Sequence, residues 1–298
     1  MPSRYPTRFA SRNRSDASHA GAALGSVLPS GHFLRSMRAI AWVIIGLLAP
    51  SVIFAQTDEI QVYDAEIEPP GIFNVMVHSN FTPDGRTIPA FPSGIVANHS
   101  LNGAAEWAYG VTPWFEQGLY LPVYSLYSTD HGTTVDGFKL RELFVRPHAR
   151  DHRFFYGVNF EFSVNAHYWE DRRITSEIRP IVGLHLQQWD FIYNPIVDTG
   201  YTGGLGNLQY NPGGRIAYNL NGGWAIAAEE YDGFGPLRHF VPSSQQFHEI
   251  WAVMDHVSPK FLGISVEAGI GCGLTPESDK ITLKLMLSRD LNSRPRRP

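Results

Sequence analysis

Along most of the chain, apolar and polar residues alternate with a period of two, the spacing at which successive side chains of a strand point to opposite faces. In RFFYGVNFEFS (153–163), Phe154, Tyr156, Val158, Phe160 and Phe162 share one face, and Gly157, Asn159, Glu161 and Ser163 share the other. In KFLGISVEAGI (260–270), Leu262, Ile264, Val266, Ala268 and Ile270 oppose Gly263, Ser265, Glu267 and Gly269. In KITLKLMLS (280–288), Ile281, Leu283, Leu285 and Leu287 oppose Thr282, Lys284 and Ser288. Such a strand has two homes: the wall of a soluble sandwich, or a transmembrane barrel whose apolar face meets lipid.

Segment and connection lengths separate the two. A tilted membrane strand needs about 9–11 residues, whereas soluble strands average about 5–6. The pattern predicts an all-β protein, an antiparallel transmembrane β-barrel of about twelve strands. The strand centres fall near residues 75, 106, 120, 141, 158, 181, 192, 217, 227, 251, 265 and 284. The connections alternate in character. Long polar ones cover Phe81–Ser100, Ser125–Asp136, Asn165–Ser176, Pro195–Gly214, Tyr231–Gln246 and Cys272–Asp279. Short ones lie around Thr112–Pro113, Pro147–Asp151, Gln188, Asn221–Gly223 and Ser258–Pro259. Long loops at one end and tight turns at the other describe an outer-membrane barrel, with the turns in the periplasm and an even strand number. Segments 137–146 and 190–197 alternate imperfectly, so ten and fourteen strands stay open as alternatives. Trp107, Tyr109, Trp114, Phe115 and Trp224 flank short turns, where a membrane-interface girdle would place them; the other reading of a Trp in a β-protein is core filler.

Residues 37–55 carry the export signal. Met37 and Arg38 open a short basic stretch, Ala39–Leu48 is apolar, Pro50 and Ser51 break the run, and Ala55 offers a cleavage point before Gln56. The run is too short to span a bilayer as a helix, which needs about 20 residues. Residues 1–36 are rich in Arg, Ser, Ala and Gly and show no apolar periodicity, so they read as an over-extended start before Met37 or a disordered extension removed with the signal. The barrel then occupies 56–298, closing in a short basic tail, SRPRRP.

Composition agrees. Aromatics at 13%, charged residues at only 17%, and 28 Gly with 21 Pro suit a turn-rich β-protein that does not face water on every side. A net charge of −4 gives no electrostatic case for nucleic acid. The single cysteine, Cys272, excludes an internal disulfide, and its neighbours Gly271 and Gly273 suggest a turn.

Four stretches, TDEIQVYDAEI (57–67), VMVHSNFTPDGR (75–86), FPSGIVANHSLNGAAEWAYGVTPWFEQGLYLPVYS (91–125) and GLTPESDKITLKLML (273–287), resemble a family of outer-membrane proteins named for the meta-pathway of phenol degradation. AYGVTPWFEQGLYLP is the most specific part. The resemblance implies a β-barrel with a transport role, and it carries no substrate or binding residues with it. The chain departs from outer-membrane barrels that finish on an aromatic residue, since its last predicted strand ends at Leu287–Ser288.

If the apolar faces meet lipid, the inward set includes Glu106, Glu116, Asn159, Glu161, Glu177, Arg179, His185, Arg215, Glu267 and Lys284. An unpaired charge in an apolar interior costs several kcal/mol, so these residues need water or one another. Two lumens satisfy that: a hydrated path that filters solutes, or a barrel closed by side-chain ion pairs. The first predicts passive uptake of small solutes, aromatic or hydrophobic ones among them, across the outer membrane; the second predicts a non-conducting barrel acting through its long loops. A lipid hydrolase is a third reading, prompted by His99–Ser100, but adjacent residues of a strand point opposite ways. No enzymatic site, cofactor or metal is expected: among the 12 His, His148 and His152 stand beside Arg146 and Arg150, which repel a cation, and the glycines of 203–214 are followed by no Lys-Ser/Thr pair and helix. The expected partners are outer-membrane lipid and a small solute; the sequence leaves oligomeric state open.

Overall fold

The computed structural model describes residues 58–257 and 263–292. The N-terminal extension, the export signal, the turn at Ser258–Pro259 and the SRPRRP tail lie outside the described residues. What is described is one closed antiparallel barrel of 12 strands. We label them β1 (Phe73–Asp84), β2 (Ser100–Thr112), β3 (Phe115–Tyr127), β4 (Thr134–Val145), β5 (Phe154–Asn165) and β6 (Ile174–Leu186). Three staves are interrupted: β7 (Trp189–Asn194 and Val197–Thr199), β8 (Gln209–Tyr210 and Gly213–Asn219) and β9 (Trp224–Gly233 and Gly235–Pro236). The last three are β10 (Phe247–Val257), β11 (Ile264–Gly273) and β12 (Ile281–Asp290). Each pairs with its sequence neighbour, and β12 closes on β1 with Asn80 opposite Lys284 and Asn74 opposite Asp290.

Burial assigns the faces. Along β12, Leu283, Leu285 and Leu287 are each about 40% exposed, while Thr282, Lys284 and Met286 between them are 5% exposed or less. Leucines outside and a lysine inside invert the order of a water-soluble protein, and only lipid makes that arrangement favourable. The outer face is ringed near the short turns by aromatics: Phe73 stacks on Trp107 (6.0 Å), Phe115 on Phe144 (4.8 Å) and Trp224 on His256 (4.1 Å), and Trp189 meets Tyr218 edge-on (4.9 Å).

Several boundaries differ from the sequence pattern. β1 runs on to Asp84, because Asn80 and Thr82 keep the inward polar alternation through what reads as loop. Ser100 begins β2 and Tyr231 lies within β9, so neither belongs to a loop. Within 195–214, short pieces pair as strand extensions, Val197–Thr199 against β6 and Gln209–Tyr210 against Val197 and Asp198. β12 ends at Asp290, with Leu291 N–H still bonded to the Phe73 carbonyl (2.8 Å).

The largest departure concerns residues 58–72, which the sequence pattern assigned to the barrel region without a place of their own. They form neither helix nor strand until β1 begins. They rise into the lumen from the short-turn end, where Gly71 and Ile72 pair with Gly110, to Asp58, which reaches Asn80 and Lys139. Ile60, Val62, Tyr63 and Ala65 are each 6% exposed or less. We call this segment the plug.

Candidate functional site: a plugged, charged lumen

The lumen is lined by side chains that strand alternation sends inward, and the plug divides them into two charged groups. On the β2–β6 side, Arg141 pairs with Glu106 (3.0 Å) and with Glu116, and Glu106 also meets His78 Nε2 (2.9 Å). Lys139 holds Asp58 of the plug (2.9 Å) and stands 3.6 Å from Glu161, whose other oxygen accepts from Asn159 (2.8 Å). Arg179 grips Glu177 through two nitrogens (2.6 and 3.2 Å) and faces Glu59 of the plug at 3.6 Å. On the β8–β12 side, Arg215 pairs with Glu229 and Asp255 and lies 3.8 Å from Glu267. Lys284 meets Glu229 and Glu267 at 2.6 Å each, with the rings of Trp251 and Tyr231 at 5.6 and 5.8 Å.

Nine of the ten residues singled out from the alternation therefore sit in these two groups. The tenth, His185, stands apart toward the short turns: its Nδ1 meets Asp190 (2.6 Å) and its ring stacks on Phe155 (4.5 Å). Sequence reading missed the partners that complete the groups, above all His78, Lys139, Arg141, Glu229 and Asp255. Lys139 and Arg141 fall in the imperfectly alternating 137–146 segment, where the inward Leu143 and Val145 are apolar and the outward Glu142 is charged, so polarity alone hides the period. It also missed Asp58 and Glu59, because nothing in a single irregular segment says that it folds inward.

The balance of the wall is acidic: Glu106, Glu116, Glu161, Glu177, Glu229, Asp255 and Glu267 face Lys139, Arg141, Arg179, Arg215 and Lys284, and the plug adds Asp58 and Glu59. Several buried acceptors, including both Glu59 carboxylate oxygens and Asn159 Oδ1, have no hydrogen bond from the protein. Buried acceptors of this kind need water or a neighbouring charge, and Arg179 supplies the latter to Glu59.

Two apolar clusters flank the charged groups. Toward the short turns, Val62, Tyr63 and Ala65 pack with Leu143, Val145, Phe155, Ile181 and Ile192 in an apolar collar. Toward the long loops, Ile95 and Trp169 fold inward onto Ala104, Tyr120 and Val123, tied by Ile95 N–H to the Tyr168 carbonyl (2.9 Å). Ser100 is no nucleophile in this setting. Its Oγ donates to the Ala97 carbonyl (2.7 Å) and accepts from Asn102 (3.1 Å), while His99 turns its Nδ1 to Asn98 (2.8 Å). No group of His, Cys, Asp and Glu among the described residues could hold a metal ion.

At the short-turn rim the plug leaves between β1, β2 and β12. Glu68 sits there with Asp290, Glu116 and Glu66 around it, and Asn292 clamps the Gly71 carbonyl (2.9 Å) and the Phe73 N–H (2.7 Å). Burial, then Asp290 and Glu116, push the Glu68 carboxyl up to about 8.

A closed antiparallel barrel with an apolar outside, an aromatic ring and a charged interior has the architecture of outer-membrane channel proteins. Among solved structures it is similar to an outer membrane channel from Pseudomonas putida F1, at 13% identity and a TM-score of 0.53, over 78% of this chain and all of that one. The NanC porin (9% identity, 73% of this chain and 100% of that one, TM-score 0.49) and the KdgM porin (9%, 74% and 99%, 0.45) are more distant. At these identities the likeness concerns the fold. No protein-family model and no curated protein matches the chain.

Proposed function

We propose that the protein is an outer-membrane channel for small solutes, with its short turns in the periplasm and its passage closed at rest by its own N-terminal plug. The observation that carries this reading is the plug itself. A barrel needing only a filled interior can use side chains from its wall, whereas here a separate segment, continuous with the wall at Phe73, fills a polar, charged passage and can leave it without breaking a strand. The same reading takes in membership of the meta-pathway family suggested by the sequence. The acidic balance favours neutral or cationic solutes over anions. Tyr120, Tyr231 and Trp251 give aromatic solutes surfaces along the way.

Planar-bilayer conductance of the purified protein tests it. Brief openings from a mostly closed baseline, with cation preference, are expected. Silence in the bilayer together with no solute flux into liposomes would overturn the channel reading in favour of a barrel that acts through its long loops.

A further inference from the structure

The wall grips the plug by its main chain. Asn80 donates to the Asp58 carbonyl, Lys284 Nζ to that of Ile60 and Arg179 Nη1 to that of Gln61, each at 3.1 Å. Asn194 does both: its Oδ1 accepts from the Tyr63 N–H (2.7 Å) and its Nδ2 donates to the Tyr63 carbonyl (3.0 Å), the pair of bonds that a neighbouring strand would exchange. Glu116 accepts from the Glu68 N–H (2.6 Å). These five side chains come from β1, β12, β6, β7 and β3, so the contacts surround the segment.

Such bonds read the peptide unit, which is common to every sequence, and leave discrimination to side-chain seats. The seats are few. Lys139 takes Asp58, and Arg179 takes Glu59. The Tyr63 ring lies 4.3 Å beneath the Arg179 guanidinium with its hydroxyl on Tyr120 Oη (2.7 Å). Because the segment is neither helix nor strand, its buried peptide groups depend on the wall for partners, and the wall side chains that supply them are already placed for an extended main chain.

We propose that the lumen is a peptide-binding site, filled in cis by residues 58–68, which takes a free oligopeptide of the same pattern once that segment is withdrawn. The pattern is an open, non-helical main chain with acids at the first two positions and an aromatic residue at the sixth. Free peptide and plug then exclude one another, and oligopeptides become a ligand class of the channel. This rests on the channel reading above, because the plug must be able to leave.

The test uses the full chain with residues 58–66 replaced by a Gly/Ser segment of equal length, recorded in planar bilayers. A second variant, Asp58→Arg with Glu59→Arg, sets the plug against Lys139 and Arg179 without altering any strand, and serves if the first does not assemble. Conductance of either variant before any addition tests the channel reading separately. The nine-residue peptide DEIQVYDAE is then added. Concentration-dependent block is expected, weakened at least tenfold by N-methylation at its tyrosine or by Asn194→Ala in the channel. Open channels that the peptide leaves unblocked at millimolar concentration would overturn the proposal, as would equal block by the N-methylated peptide.

Discussion

Single residues decide where this wall can be altered. Gly103 lies on the outward side of β2, and a Cβ there would stand 2.0 Å from the His78 carbonyl oxygen, a backbone atom that cannot yield. The Tyr124 hydroxyl already covers that spot, donating to the same carbonyl (2.8 Å). Gly103→Ala should therefore destabilise the barrel by about 1–3 kcal/mol or more, as overpacking does, and heat-modifiable gel migration should report a lower transition temperature. An unchanged transition would show that the strand shifts freely. Glu68 carries a different expectation. Its carboxyl is raised to about 8 in the plugged state and returns toward the usual value of about 4.5 once it leaves the rim. The plugged state thus binds more protons, so its advantage is full below the ordinary carboxylate range and declines as pH rises through the interval up to about 8. Open probability should increase from pH 5 to pH 8, and Glu68→Gln should flatten that rise. A slope that survives in Glu68→Gln would assign the proton to another group.

The strands were legible because their period and length are fixed by the bilayer, and one-sided runs such as Phe154–Phe162 and Ile281–Leu287 leave only the choice between sandwich and barrel. The rhythm of turns and loops settled that choice. Strands with mixed faces were harder. Lys139 and Arg141 alternate regularly with Phe138 and Leu140, but further along β4 the inward Leu143 and Val145 are apolar and the outward Glu142 is charged, which blurs the contrast between the faces. The plug was not legible at all. DEIQVYDAE is short and apolar at Ile60, Val62 and Tyr63, and its partners Asn80, Arg179, Asn194 and Lys284 are distant in sequence. Such an element is defined by the space it fills, and that space exists only after twelve strands have closed. Its mechanical role can still be isolated. Replacing 58–66 by Gly/Ser removes the apolar anchors Ile60, Val62 and Tyr63 and the ion pairs of Asp58 and Glu59. Single-channel conductance should become sustained, with heat-modifiable migration retained. A variant that stays closed would place the barrier in the Ile95–Trp169 layer, and conductance of the Trp169→Ala form of the same variant would then show it.

At the scale of the molecule, the plug bears on how the chain is processed. Asp58 lies within the barrel, bonded to Lys139 and, through its carbonyl, to Asn80. The basic start, apolar run and small-residue cleavage point of 37–55 lead us to propose that export begins from Met37 and that the signal is removed, which would leave the plug at the start of the mature chain, so that N-terminal sequencing of the mature protein should read from near Gln56. Recovery of Tyr5 or Arg14 in the membrane-embedded product would overturn this.

The two charged groups make the last expectation one about the whole passage. Glu161 and Glu267 stand on β5 and β11, at opposite sides of the plug; Lys284 retains Glu229 of the wall when Glu267 is neutralised, whereas Lys139 keeps Asp58 only while the plug is seated. Neutralising either carboxylate as its amide keeps shape and hydrogen-bonding capacity while removing one negative charge from the lumen. If solutes travel between these groups, Glu161→Gln and Glu267→Gln should each shift the reversal potential in a salt gradient toward weaker cation preference, and the double variant should shift it further. The effect should shrink at high salt, since screening shortens from about 10 Å at 0.1 M to about 3 Å at 1 M. An unchanged reversal potential in both single variants, with normal conductance, would mean that ions cross by a route these side chains do not line.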